Sequence, residues 1–142
     1  MSDRMVEICS CRADQLSTIG EIGDDVHLLA MFGVGSIPDP KDIFPDVPGT
    51  DQRVRSFVET QSETRQLLTG YQGSITTDLI LWKGNSSSTT LRICFVCSDG
   101  LQRSVAVAEI IANWLGIGGV CLFPIKIRHP QLGEERIWKL EE

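Results

Sequence analysis

VHLLAMF, residues 26–32, is an apolar run of strand length without the alternation of a strand that has one wet face. A strand of that kind is buried on both faces, the situation of a parallel sheet covered by helices. LRICFVC, residues 91–97, is the most strand-like segment of the chain, and MVEICSC at 5–11 alternates weakly and is rich in strand formers. Parallel strands need crossovers, so helices must lie between them. RSVAVAEIIANWLG, 103–116, is the clearest helix, with Gly116 suited to its end.

The remaining segments fit the same scheme. The stretch from the first strand to about Asp25 is polar and reads as loop. GVGSIPDPKDIFPDVPGTD carries Pro38, Pro40, Pro45 and Pro48 and cannot be regular structure. A loop of that length in a compact domain is often functional. Asp51 is placed to cap a helix over QRVRSFVETQSETRQLL, with Val54, Phe57 and Val58 on one face. A second helix is predicted over 75–83, after a break at Gly70–Gly73, and NSSSTT (85–90) reads as a surface connection. GVCLFPIKI, 119–127, reads as a strand that Pro124 confines to an edge or a bulge. EERIWKLEE reads as a short terminal helix or a frayed tail. Strands alternating with helices imply one α/β domain over residues 1–142, a mostly parallel sheet flanked by helices.

The chain offers little else to build on. Its apolar runs are too short for a membrane span, and MSDRMVEICSCRADQ lacks the apolar core of a signal peptide. The 5 cysteines, an odd number without an export signal, point to free thiols and to the cytoplasm. Cys9 and Cys11 have no second pair at zinc-site spacing, and Cys94 lies inside a strand, so no metal site is expected. A net charge of −6 disfavours broad, charge-driven binding of nucleic acid.

The chemistry gathers where the strongest strand meets the clearest helix, at Cys97-Ser98-Asp99-Gly100-Leu101-Gln102-Arg103-Ser104. In open α/β sheets, ligands collect at the carboxyl ends of strands. The first amides of a helix lack internal partners, and the helix dipole adds positive potential, so a phosphate fits there. Gly100 lets the backbone turn its amides inward, Arg103 offers a planar fork, and Ser98 and Ser104 add hydroxyls. Lys41 and Arg53 from the long loop, and Lys126, Arg128 and His129 from the last strand, are candidates for a basic rim. His27 and the three tryptophans Trp82, Trp114 and Trp138 read as structural, the latter as core or subunit-contact residues.

The loop spacing C-x-x-G-x-x-R-S resembles the signature of the tyrosine and dual-specificity phosphatases. That resemblance implies Cys97 as nucleophile and Arg103 as phosphate binder. The histidine usual before the cysteine is Val96 here, and the acid that reaction requires has only Asp46, Asp51 and Asp78 as candidates, none in an acid-loop motif. Asp99 also puts a carboxylate inside the loop.

A second resemblance covers nearly the whole chain. VEICSC, IPDP, GTDQRVRSFV, CSDGLQRSVAVAEIIA and RHPQL follow in that order. Together they resemble the C-terminal domain of the RapZ-type RNase adapter proteins. The resemblance implies an α/β domain that binds an amino-sugar phosphate, contributes to RNA binding and self-associates. It implies a ligand-binding pocket of Cys97, Ser98, Gly100, Arg103 and Ser104, with Gly49 and Asp51 in the family's helix start and Arg128 and His129 in its closing motif. The family's first loop glycine is Asp99 here, its loop histidine is Gln102, and its proline-segment asparagine is Asp39, with Lys41 and Pro130 as further departures. No Walker A loop occurs, and the basic tail that serves RNA in relatives is replaced by KLEE. The expectation is a sensor or adapter for a phosphorylated small molecule, a sugar phosphate or nucleotide, without a cofactor. RNA is the less favoured partner and a homo-oligomer a reasonable one. A cysteine-dependent phosphatase using Cys97 and Arg103 is the alternative.

Overall fold

The computed structural model describes residues 4–15, 26–85 and 88–139. Five strands form one sheet: β1 (Met5–Arg12), β2 (Val26–Gly33), β3 (Thr90–Cys97), β4 (Ile125–His129) and β5 (Glu134–Trp138). The order is β2-β3-β1-β4-β5. β1 pairs in parallel with β3 and β4, and β2 pairs in parallel with β3. Among the described residues, only β5 runs antiparallel, against β4. The mostly parallel α/β architecture is therefore the one the apolar runs require. The helices are α1 (Gln52–Thr60), α2 (Ser62–Asn85) and α3 (Arg103–Gly116).

Strand periodicity sorts the side chains onto two faces. Val6, Ile8, Leu91, Ile93, Phe95, Ile125 and Ile127 share one core with Val54, Val58, Ile75, Leu79, Ala108, Ile111 and Leu115 of the helices. The other face carries Cys9, Cys11 and Cys94 with Met31 and Val96. Beside these thiols, Glu7 accepts from Arg92 at 2.8 Å and from Arg128 at 3.0 Å. Burial raises the Glu7 pKa, but the Cys9 hydrogen bond and the two arginines outweigh it and hold the carboxyl below its ordinary value.

Several boundaries differ from the sequence reading. α1 stops at Thr60 because Gln61 is extended, at φ −72° and ψ 137°. α2 then runs unbroken through Gly70 and Gly73. A helical glycine costs about 1 kcal/mol, whereas burying one large apolar side chain returns about 1.5–3 kcal/mol. Ile75, Leu79 and Trp82 are all buried on α2, so burial wins.

The last strands differ more. Residues 119–124 are not strand, and β4 starts after Pro124, so the proline costs no ladder bond. β4 therefore lies inside the sheet, and the Pro124 carbonyl still accepts from Val6 N at 3.0 Å. The expected terminal helix is instead β5. Gly133, at φ 68°, turns the chain back after Pro130–Leu132, and Lys126 pairs with Glu135 at 3.1 Å. Within two of the predicted loops, residues 16–25 and 86–87 lie outside the described residues. Among the described residues no helix is long and apolar enough to cross a membrane.

Candidate functional site

β3 delivers Cys97 to the carboxyl end of the sheet, and α3 starts at Arg103. Between them Gly100 adopts φ 65°, and a Cβ there would lie 2.4 Å from Arg12 Cγ and 2.9 Å from Arg12 N. Glycine is thus required twice, by conformation and by the close approach of β1. Arg12 ends β1 directly opposite Cys97, so its half-exposed side chain borders the loop.

Asp99 is exposed, and its Oδ1 accepts from Leu101 N at 3.0 Å. The carboxylate folds back onto its own loop and occupies one amide that an anion would use. Cys97 is 3% exposed. Its Sγ donates toward Ser104 Oγ at 3.2 Å or Asp99 Oδ1 at 3.5 Å, and accepts from Ser104 N at 3.4 Å.

Arg103 is 9% exposed and ties two loops together. Nη1 donates to Gly35 O at 2.9 Å and Ile37 O at 3.3 Å, while Nη2 donates to Ser98 Oγ at 3.3 Å. The Asp39 carboxylate stands 3.8 Å from Nη2. Gln102 is buried, and its Nε2 donates to Phe44 O at 2.7 Å and Val47 O at 2.9 Å. Gly49 N donates to Leu101 O at 2.9 Å. The long proline-rich loop is therefore docked onto the start of α3 by these three residues. Gln102, a candidate ligand contact in the sequence, spends its amide on the loop.

The basic rim does not assemble as expected. Lys41 is exposed on the turn Pro40–Asp42, with its backbone N bonded to Asp39. Arg53 is paired with Asp51 at 3.0 Å. Arg128 points to the opposite face, toward Glu7 and Glu135. His129 is 1% exposed and lies in the core beneath the loop. Its Nδ1 is 2.6 Å from Ser10 Oγ and its Nε2 is 2.7 Å from Glu109 Oε2. Among the acid candidates, Asp51 caps α1, and hydrogen bonds from Arg53 lower its pKa. Asp46 sits in the proline loop at φ 61°, and Asp78 lies on α2. His27 is exposed on β2 and not in the core.

Three residues of the site escaped the sequence reading. Arg12 was one charged residue after a strand, and only the central place of β1 gives it meaning. Gln131 Nε2 donates both to Gly100 O and to Ser10 Oγ. Glu109 accepts from His129 and, through both oxygens, from Arg136. Hydrogen bonds therefore run from the Gly100 carbonyl through Gln131, Ser10, His129 and Glu109 to Arg136. The polarity is consistent throughout if Ser10 donates to Nδ1 and the imidazole carries its proton on Nε2. Burial raises the Glu109 pKa, yet the hydrogen bonds from His129 and Arg136, with the Arg136 charge, bring it down to about 2.

Among the described residues no group of three or more His, Cys, Asp or Glu side chains could hold a metal ion. A family model described as the RapZ C-terminal domain matches residues 22–132. No curated protein matches the chain.

Proposed function

The chain belongs to the RapZ C-terminal domain family, and from that premise we propose that it is an adapter or regulatory domain that binds a phosphorylated small molecule at the Cys97–Ser104 loop. The observation that carries this reading is Arg103. Its guanidinium is buried and hydrogen-bonded to Gly35 O and Ile37 O at a helix N-terminus, at the carboxyl end of a parallel sheet, with Ser98 at 3.3 Å. Its contacts with Ser98 and Asp39 are long, so a phosphate oxygen can replace them. Arg12, paired with the exposed Asp14 at 3.2 Å, lies across Gly100 and would have to exchange that partner to supply a second cation. A sugar phosphate or a nucleotide has the right chemistry. Self-association in the cytoplasm, where the five free thiols would persist, belongs to the same proposal.

Binding is favoured over turnover because the Cys97 residue is almost fully buried and Asp51, one of the acid candidates, is bonded to Arg53, which lowers its pKa and opposes proton donation. The acidic net charge of −6 and the engagement of Arg128 with Glu7 favour a small molecule over RNA.

Thermal unfolding tests this in the presence of inorganic phosphate, an amino-sugar phosphate and a nucleoside monophosphate. One of them should raise the wild-type melting temperature, since a ligand at a hundredfold its Kd stabilises by about 2.7 kcal/mol. Arg103→Ala should abolish the rise, and Arg12→Ala should reduce it. An equal rise in wild type and Arg103→Ala would place the ligand elsewhere. Hydrolysis of p-nitrophenyl phosphate that vanishes in both Cys97→Ser and Arg103→Ala would replace binding with phosphatase chemistry.

A further inference from the structure

The peptide between Gly100 and Leu101 is bonded at both ends. Its carbonyl accepts from Gln131 Nε2, and its N–H donates to the exposed Asp99 carboxylate at 3.0 Å. A trans peptide carries its C=O and N–H in opposite directions. Whatever holds the carbonyl therefore aims the N–H. Gly100, at φ 65° and without a Cβ, offers little resistance to the peptide turning over, so the direction of this N–H has to be set from outside the loop.

Gln131 sets it. The residue lies half-buried in the single turn Pro130–Leu132 that follows β4. Its amide nitrogen also donates to the fully buried Ser10 Oγ at 2.7 Å. Ser10 Oγ is 2.6 Å from His129 Nδ1, and His129 Nε2 is 2.7 Å from Glu109, so the anchor is itself held from the core. The Gly100 carbonyl only accepts, and a reversed Gln131 amide would set Oε1 against it, oxygen to oxygen. The amide keeps this orientation although Oε1 is buried without a hydrogen-bond partner among the described residues, which is costly.

We propose that Gln131 is the positioning residue of the phosphate loop. It holds the Gly100 carbonyl toward Ser10 and so turns the Leu101 N–H outward, to the point where the Asp99 carboxylate now stands and where a phosphate oxygen takes its place. This role rests on the loop being the phosphate site.

Inorganic phosphate is the probe, titrated calorimetrically into wild type, Arg103→Ala, Gln131→Leu and Gln131→Glu at about pH 7.5 and about pH 5. Gln131→Leu removes the donor and should weaken phosphate about tenfold at both pH values, the loss of one charge-assisted hydrogen bond. Gln131→Glu keeps the shape of the side chain. Its ionised carboxylate accepts where the amide donated, so near pH 7.5 it should turn the Leu101 N–H inward and weaken phosphate at least as much. Protonated, the same group donates to the Gly100 carbonyl, and burial beside an oxygen favours that form. Binding near pH 5 should therefore return to within about threefold of wild type in Gln131→Glu and not in Gln131→Leu. Each variant is compared with wild type at the same pH, because Arg12, Cys97, Asp99, Arg103 and His129 around the loop, and the phosphate itself, are common to all. Binding lost in Arg103→Ala but kept in both Gln131 variants would overturn the positioning role and leave phosphate at the loop. Loss in both Gln131 variants without recovery near pH 5 would also overturn it, since Gln131 would then only support the fold. No binding by wild type, or binding untouched by Arg103→Ala, would remove phosphate from the loop and this role with it.

Discussion

Glu109→Ala is expected to cost the fold about 3 kcal/mol at neutral pH, the usual loss on breaking a buried ion pair from one side. The Glu109 side chain is 4% exposed and accepts from His129 and Arg136. Arg136 is 53% exposed and can turn to water once released. His129 cannot, because it is 1% exposed and held by Ser10 on its other nitrogen. The variant therefore leaves a buried ring nitrogen without its partner, and a void beside it. The pH dependence gives the same scale independently. The Glu109 pKa falls from 4.5 to about 2 on folding. A depressed carboxyl pKa contributes stability that is present above the unfolded value and is lost as pH falls toward the folded one. That gap corresponds to about 3 kcal/mol between pH 4.5 and pH 2. Urea unfolding at pH 7 and near pH 2.5 should show the loss in wild type and a much smaller one in Glu109→Gln. The Glu7 carboxyl, also lowered, titrates in both proteins, so the difference between them isolates Glu109. Equal pH slopes would remove Glu109 from the account.

Gly49→Ala should be nearly as damaging, at about 2–3 kcal/mol, although it adds a single methyl group. Its Cβ would lie 2.3 Å from Gln102 O and 2.6 Å from Ala106 N. Those two atoms are the acceptor and donor of a hydrogen bond in the first turn of α3, at 2.8 Å. Backbone held in that way does not give, so the loop must lift. Lifting it strips Gly49 from Leu101 O and strains the Gln102 bonds to Phe44 and Val47. The variant should therefore lose phosphate stabilisation together with melting temperature. Gly35→Ala is the control, since a Cβ there meets nothing within 4 Å. It should stay within about 0.5 kcal/mol of wild type. Equal effects at the two glycines would mean that loop docking matters little.

These two sites also mark how far the sequence could be read. β1, β2, β3 and α3 were legible because each is an apolar run or periodic segment bounded by glycine or polar residues. The strand-to-helix junction that carries Gly100 and Arg103 followed from that placement alone. α2 was misread because glycine is visible in a sequence, while the burial of Ile75, Leu79 and Trp82 that overrides it is not. β5 was illegible for the opposite reason. Its residues are almost all exposed and have no apolar pattern, so pairing with β4 rests on the Gly133 turn and on charges. His129 looked like part of a basic rim because its partners, Ser10 and Glu109, lie 119 and 20 residues away. Arg128 was placed in that rim for its charge, and strand parity put it on the other face with Glu7.

The strand order also fixes a sequence of events in time. Among the described residues, β1 has β3 and β4 as its neighbours, and β2 has β3 alone. Neither β1 nor β2 can therefore pair with a described strand until β3, Thr90–Cys97, has been synthesised. At ribosomal rates of about 5–20 residues per second, the apolar strands β1 and β2 wait unpaired for a time on the order of seconds. Only the local contacts of α1 and α2 can form in that interval. During it, Cys9 and Cys11 are open to solvent and to passing chaperones, although the finished sheet buries both. The β3 strand that carries Cys97 to the loop is therefore also the strand whose arrival begins the assembly of the sheet.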